Sequence, residues 1–105
     1  MGLLATAAAA QEPPRFPSEV RVVELDVAVT RNGRPEPGLT AADFDVRDAG
    51  APQTVELEEL RERYLLRYGP TGVPPDGWHP VEVRVRRKGL AVRCRPGYQA
   101  DPTPH

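Results

Sequence analysis

The chain has 105 residues, a formal net charge of −1 and a hydrophobic content of only 39%. A chain of this length can enclose one modest hydrophobic core. Thirteen prolines and nine glycines interrupt it at short intervals, which disfavours long helices. The near-zero charge gives no reason to expect binding to nucleic acid or to an anionic membrane surface through bulk charge.

The first ten residues are typical of the second half of a secretory signal peptide. A short apolar run leads into small residues and then into a polar, proline-rich start at Gln11. Cleavage after Ala10 fits the A-x-A rule, although no basic residue precedes the apolar run. The alternative is a disordered, alanine-rich terminus without targeting meaning. We expect a secreted or periplasmic protein without a membrane span, with a leader remnant and linker at 1–17, a domain at 18–98 and a loose tail at 99–105.

The clearest strand follows the linker, because four apolar residues alternate with more polar ones: Val23, Leu25, Val27 and Val29. Asn32 and Gly33 supply the positive φ angles of a tight turn after it. Next, Thr40 stands three residues before Asp43, a spacing that predicts one capped helical turn.

Several short strands are predicted after that turn. Residues 44–47 alternate, residues 48–52 form a turn, and residues 53–60 are predicted as a strand, with helix as the alternative over 56–67. Residues 63–68 form another β-prone run.

The best hairpin candidate joins residues 81–85 to residues 90–94 through Lys88 and Gly89. Six or seven short strands predict an all-β fold, a small immunoglobulin-like β-sandwich. Its predicted core comprises the apolar inward positions Val23, Leu25, Val27, Val29, Phe44, Val46, Val55, Leu57, Leu66, Val81, Val83, Val85, Leu90 and Val92.

The residues offer no catalytic or metal-binding constellation. The single serine, Ser18, is far in sequence from both histidines, so no triad is readable. His79 precedes a strand and is interpreted as a turn or rim residue, and no second histidine stands at a zinc-binding spacing. The acids at 43, 45 and 48 lack the downstream glutamate of a calcium loop. We therefore predict no enzyme activity, no metal and no cofactor.

The lone cysteine, Cys94, excludes an internal disulfide. It alternates with Leu90 and Val92, which favours a buried structural thiol over a reactive one.

Charge is segregated along the chain. Residues 43–62 carry seven acids against two arginines, and residues 80–98 carry six bases against one acid. Cross-strand pairing on the solvated faces is the simpler explanation. The sharper hypothesis is an interaction surface for an acidic glycan, a phosphate or a protein, formed by Arg84, Arg86, Arg87, Lys88, Arg93 and Arg95. Because no aromatic residues are interleaved among these bases, nucleic-acid binding is not expected.

Two blocks of the sequence resemble bacterial von Willebrand factor A-related proteins. The opening block spans residues 18–53 and includes Gly-Leu-Thr-x-x-Asp-Phe at 38–44; the closing block includes 64–71 and 81–98, with Arg-Pro-Gly-Tyr at 95–98. The resemblance implies that these flanks form one immunoglobulin-like sandwich into which relatives insert an A domain, here missing between Leu60 and Tyr64. The family's Asp-x-Ser-x-Ser metal motif is also missing, so no metal binding carries over.

The expected function is therefore a non-catalytic, exported module for protein interaction or scaffolding, with a protein or glycan as partner. The alternative is an accessory domain that contacts substrate or inhibits an enzyme within a larger secreted system, through a loop such as residues 71–77.

Export can be tested with the natural gene and its full upstream region fused to a reporter that is active only outside the cytoplasm. We expect reporter signal and a mature chain that begins at or near Gln11, because the small residues before it fit a cleavage site. N-terminal sequencing of the recovered protein checks this, and an intact Met1 would contradict it.

Overall fold

The structure, a computed structural model, describes residues 21–100. Within this range the chain forms nine strands and one 3-10 turn, and the strands make two antiparallel sheets around one core. The all-β sandwich prediction is thus confirmed, with more and shorter strands than expected. The predicted leader and linker at 1–17, and residues 101–105 of the predicted tail, lie outside the described residues.

In chain order the strands are β1 (Val23–Arg31), β2 (Arg34–Pro35), β3 (Phe44–Asp48), β4 (Ala51–Gln53), β5 (Glu56–Glu59), β6 (Tyr64–Tyr68), β7 (Gly77–Val85), β8 (Ala91–Arg93) and β9 (Gly97–Ala100). One sheet has the order β9-β7-β3-β4. The other has the order β2-β1-β6-β5, and β8 also pairs with β1. Strand β9 continues two residues past the predicted domain boundary at Tyr98.

The turns and the helical cap that the sequence predicts are present in the structure. Asn32 and Gly33 adopt φ angles of 54° and 79° in the turn between β1 and β2. The helical turn Ala41–Asp43 is capped as expected, because the Thr40 backbone N–H donates to Asp43 Oδ2 over 2.8 Å. A tight turn through Ala49, with a φ of 49°, joins β3 to β4.

The predicted core residues lie between the sheets, either buried or partly buried against the buried set. Sequence reasoning missed the buried Leu39, Tyr64 and Tyr68. Tyr64 shows what such a residue contributes: its hydroxyl donates to the Glu36 carbonyl over 2.6 Å and accepts from the Leu39 N–H over 3.1 Å. Its ring meets Phe44 edge-on, with centroids 5.6 Å apart. Tyr64 therefore fixes the connection that leads from β2 to the helical turn.

The predicted hairpin of residues 81–94 is wrong. Strand β7 pairs with β3 in the four-stranded sheet, whereas β8 pairs with β1 in the other, Val92 lying opposite Val29. Arg86 lies where the chain leaves β7. Its guanidinium donates to the carbonyls of Ala42 and Phe44 over 2.6 and 3.0 Å, which holds this point against the start of β3. The chain then crosses to the opposite sheet instead of folding back.

The single strand predicted for residues 53–60 is also divided between the sheets, and the competing helix is absent there. Strand β4 ends at Gln53, and β5 begins at Glu56. The Gln53 side chain accepts a hydrogen bond from the Thr71 N–H over 3.0 Å and donates to the Thr71 carbonyl over 2.8 Å. These bonds fix the end of β4, so Thr54 and Val55 carry the chain across the edge of the sandwich.

A short surface turn joins β5 to β6, as the sequence predicts for the junction near Glu62. Glu59 pairs with Tyr64, and the Leu60 N–H donates to the Arg63 carbonyl over 2.8 Å. Residues 61–63 are exposed. The two strand ends are therefore adjacent at the surface, which is the geometry that tolerates insertions.

A flexible Gly/Ser insertion at Glu62 should lower the free energy of unfolding by no more than ~1 to 2 kcal/mol, because lengthening a surface loop adds little closure entropy. Urea unfolding checks this. The same insertion between Leu25 and Asp26, inside β1, is the control and should prevent folding. An insertion at Glu62 that unfolds the domain would contradict the junction.

Candidate functional site

The most unusual feature of the core is a buried polar cluster that spans both sheets. Asp48 ends β3 and His79 lies in β7; they are 0% and 1% exposed. Asp48 Oδ1 lies 2.9 Å from His79 Nδ1. The hydroxyls of Tyr68 and Tyr98 donate to Asp48 Oδ2 over 2.8 and 2.6 Å. Because Tyr68 belongs to the other sheet, the Asp48 carboxylate links the two layers.

Because side chains alternate between the two faces of a strand, Asp48 and His79 lie on the core-facing sides of their strands. Asp48 follows Phe44 and Val46 at the inward positions of β3, and His79 precedes Val81 at the inward positions of β7. The interpretation of His79 as a rim residue is therefore wrong. The alternation of inward and outward positions predicts both residues when it is continued by one step: from Val46 to Asp48 in β3, and from Val81 back to His79 in β7.

The contacts of the imidazole define its hydrogen-bonding role. Nδ1 faces the Asp48 carboxylate, and Nε2 lies 3.3 Å from the carbonyl oxygen of Asp76. A proton on Nδ1 is donated to Asp48, and the carboxylate then accepts from three donors. Removing one partner would leave a buried polar group without its hydrogen bond, which costs about 1–3 kcal/mol.

This cluster is arranged for structure rather than for catalysis. A general base must present a nitrogen to a substrate, but both nitrogens of His79 face protein oxygens and the ring is buried. Only the Tyr98 ring is partly exposed. Burial and the hydrogen bond to Asp48 raise the pKa of Tyr98, which keeps the phenol protonated.

The predicted basic surface is not a single face. Arg84 lies on the outer face of the four-stranded sheet, whereas Arg93 lies in the five-stranded sheet. Arg86, Arg87 and Lys88 lie in the connection between the two sheets.

Several of these bases bind the protein itself. Arg87 Nη2 donates to Asp43 Oδ2 over 3.1 Å, and Arg95 donates to the Glu24 carbonyl over 2.9 Å. Arg84 donates to Glu82 over 2.8 Å. Lys88 and Arg93 are exposed.

Ion pairs account for part of the charge segregation. Arg84 lies opposite Asp45 and Arg47 lies opposite Glu82 in neighbouring strands, but the ion pairs of these arginines run along their own strands, to Glu82 and Asp45. In the other sheet the pairing crosses strands, because Arg67 donates to Glu24 over 2.7 Å. Exposed pairs of this kind contribute little to stability.

Trp78 is the large apolar side chain that stands out on the outer face of the four-stranded sheet, with 56% of its surface exposed. Its indole lies on the backbone of Gly97: a Cβ at that position would be 2.7 Å from Trp78 Cζ2 and closer still to the His79 carbonyl oxygen. A side chain at position 97 would clash with both the indole and the His79 carbonyl, so the close approach of β9 to Trp78 requires glycine there.

Cys94 is partly buried against the core, as its alternation with Val92 predicts. Burial raises the pKa of its thiol above the ordinary value. The thiol form is the less nucleophilic one, so Cys94 serves as a packing residue.

Among residues 21–100, no group of three or more His, Cys, Asp or Glu side chains is arranged to hold a metal ion. No helix in the described part of the chain has the length and hydropathy to cross a membrane. Comparisons of the chain with protein-family models, with curated proteins and with solved structures give no match.

The three tyrosines of the chain provide a test of the cluster, because burial raises the pKa of Tyr64, Tyr68 and Tyr98 above the ordinary value of 10.0. A group with a raised folded-state pKa contributes stability that is present below its unfolded pKa and is lost as the pH rises through the folded one. We expect no tyrosinate absorbance at 295 nm just above pH 10, and then a single rise that coincides with unfolding followed by circular dichroism.

The control is the same titration in urea, where the three phenols should ionise near pH ~10. Tyrosines that ionise in the folded protein at that pH would show that the hydroxyls are not held as described.

Proposed function

We propose that this chain is a non-catalytic, exported β-sandwich module that binds a partner protein or glycan through the outer face of its four-stranded sheet. The observation that carries the proposal is the exposed Trp78. Tryptophan is enriched at the energetic centres of interfaces, because a rigid apolar ring contributes a large contact area at a small entropy cost.

The remaining groups favour binding over catalysis. The buried histidine and aspartate bond to one another and to two tyrosines, so their polar atoms are engaged inside the core. On the outer face, Arg47 pairs with Asp45 and Arg84 pairs with Glu82, each along its own strand, in the same sheet as Trp78. An aromatic centre next to a neutralised polar area is the composition expected of an interface.

The resemblance to the flanks of von Willebrand factor A-related proteins supports the same proposal. In that interpretation the chain is the sandwich that carries an inserted domain in relatives, and the surface turn between β5 and β6 is where the insertion would stand. The sandwich then acts as a scaffold and not as the metal-dependent domain.

The test uses the mature chain, which begins at Gln11, as bait in a periplasmic extract. Replacing Trp78 by Ser should lower the affinity for the captured partner by about thirtyfold, the effect of a typical interface hot spot. Trp78→Phe should restore part of the affinity, and Arg61→Gln, in the exposed turn between β5 and β6, is the control. Isothermal titration with the identified partner measures the affinities.

The double variant Lys88→Gln and Arg93→Gln separates this surface from the basic residues predicted from the sequence. Retained binding in the double variant and lost binding in Trp78→Ser support the Trp78 face. The reverse pattern would contradict it, provided that all variants unfold at the same temperature.

A further inference from the structure

The five-stranded sheet carries acidic side chains on one edge strand and basic side chains on another. Among residues 21–100, β5 pairs only with β6, and its exposed side chains include Glu56 and Glu58. Within the same range β8 pairs only with β1, and the exposed side chains of this segment include Arg93 and Arg95. An edge strand presents unpaired backbone groups that can bond to another chain.

Strands β5 and β8 lie at opposite edges of the sheet. Thr30 of β1 pairs with Pro35 of β2 and with Ala91 of β8, so β2 and β8 flank β1 on different sides. The connection after β2 contacts β5, because the Gly38 N–H donates to the Glu59 carboxylate over 3.2 Å. Strands β6 and β5 therefore lie on the β2 side of β1, away from β8.

The strand directions allow one edge to pair with the other. Strand β1 is antiparallel to both β6 and β8, and β6 is antiparallel to β5. Strand β5 consequently runs antiparallel to β8. When the sheet of a second copy is placed beside the first in the same orientation, its β8 meets β5 as an antiparallel neighbour.

Hydrogen bonds to β1 show which of its backbone groups face each side. The Val29 carbonyl faces β2, because it accepts from the Glu36 N–H over 2.9 Å. The Glu24 carbonyl accepts from the Arg95 guanidinium over 2.9 Å and so faces the β8 side. Backbone groups of successive residues point to alternate sides of an antiparallel strand. Odd-numbered residues of β1 therefore bond towards β6, and even-numbered ones towards β8.

The strand register carries this alternation to both edges. Ala28 pairs with Arg93, so the backbone of Arg93 bonds to β1 and that of Cys94 points away from the sheet. Leu66 is opposite Leu25 on one side and opposite Leu57 on the other. Since Leu66 bonds to β1, the N–H and C=O of Leu57 point to the free edge of β5.

We propose that the five-stranded sheet continues from one copy of the chain into a second copy, with β5 of the first paired antiparallel with β8 of the second. Placing Leu57 opposite Cys94 joins the outward backbone groups of the two edges in one hydrogen-bonded pair. Both side chains lie on the core-facing side, where each packs against the core of its own copy. The contact does not use Trp78, so it is independent of the proposed function.

The same register matches the charges on the outer face. It sets Glu58 opposite Arg93 and Glu56 opposite Arg95, and opposite charges in facing positions stabilise a strand pair. The segregation of acids and bases along the sequence thus gives the sheet two complementary edges. Because the contact joins two different surfaces, each added copy leaves a further edge free, and the product is an open chain of copies.

Sedimentation equilibrium of the mature chain measures this association, in a reducing buffer that prevents a disulfide through Cys94. The contact is short, so we expect weak, reversible association in which the average mass rises continuously with concentration up to about 1 mM. Raising the NaCl concentration from about 0.1 M to about 1 M should reduce the rise, because salt screens the exposed charges.

Charge reversal tests the pairing of the two edges. Glu58→Lys and Arg93→Glu each set like charges opposite one another and should weaken the association about tenfold. An equimolar mixture of the two variants should restore it, because the basic β5 of one then meets the acidic β8 of the other. Glu62→Lys and Lys88→Glu are the matched controls, since they make the same charge changes at exposed positions outside both strands.

A mixture that associates no better than the separate variants would overturn the proposal. An unsubstituted chain that stays monomeric or stops at a dimer would also overturn it, as would an equal loss in the two controls. Circular dichroism confirms that each variant is folded. Glu56→Lys with Arg95→Glu is the second pair to be mixed if a substitution in the first pair unfolds the sheet.

Discussion

The carboxylate of Asp48 is the group on which the sandwich depends. It takes three donors, from His79, Tyr98 and Tyr68, so three strands of one sheet and one strand of the other meet at a single buried charge. The dispersion contacts of an apolar core are individually weak and have no direction. Hydrogen bonds to a buried carboxylate do have direction, and an unpaired one is costly. The cluster therefore fixes the position of one sheet relative to the other at this end of the core.

The same arrangement limits what the cluster itself can do chemically, because its carboxylate and imidazole are bonded to protein groups. On the outer face of the four-stranded sheet, Trp78 is a large apolar side chain that stays exposed. The glycine beneath the indole connects this surface to the core, because Gly97 pairs with Pro80 one position from the His79 and Tyr98 pair. The proposed interaction surface thus lies next to the buried hydrogen-bonded cluster.

Sequence reasoning predicted what is local and failed where the chain changes sheets. Strand β1, its Asn32 turn and the Thr40 cap follow from neighbouring residues, and each was confirmed. The division of residues 53–60 between two strands in different sheets depends instead on the hydrogen bond that the Thr71 N–H donates to the Gln53 side chain. The separation of β7 from β8 depends on Arg86 reaching carbonyls more than forty residues earlier. Such contacts carry no periodic signal in the sequence.

The candidate site was missed for the same reason. A basic run in the sequence suggested one surface, but the crossing after β7 sends Arg84 and Arg93 to different sheets. His79, preceded by Trp78 and followed by Pro80, looked like a turn residue, yet strand pairing continues through it to Gly77. Proline removes a backbone donor. Strand β7 nevertheless contains Pro80, and the carbonyl of Pro80 accepts a hydrogen bond from the Ala49 N–H over 2.8 Å. That bond anchors the turn after β3 and so holds Asp48 where His79 can reach it.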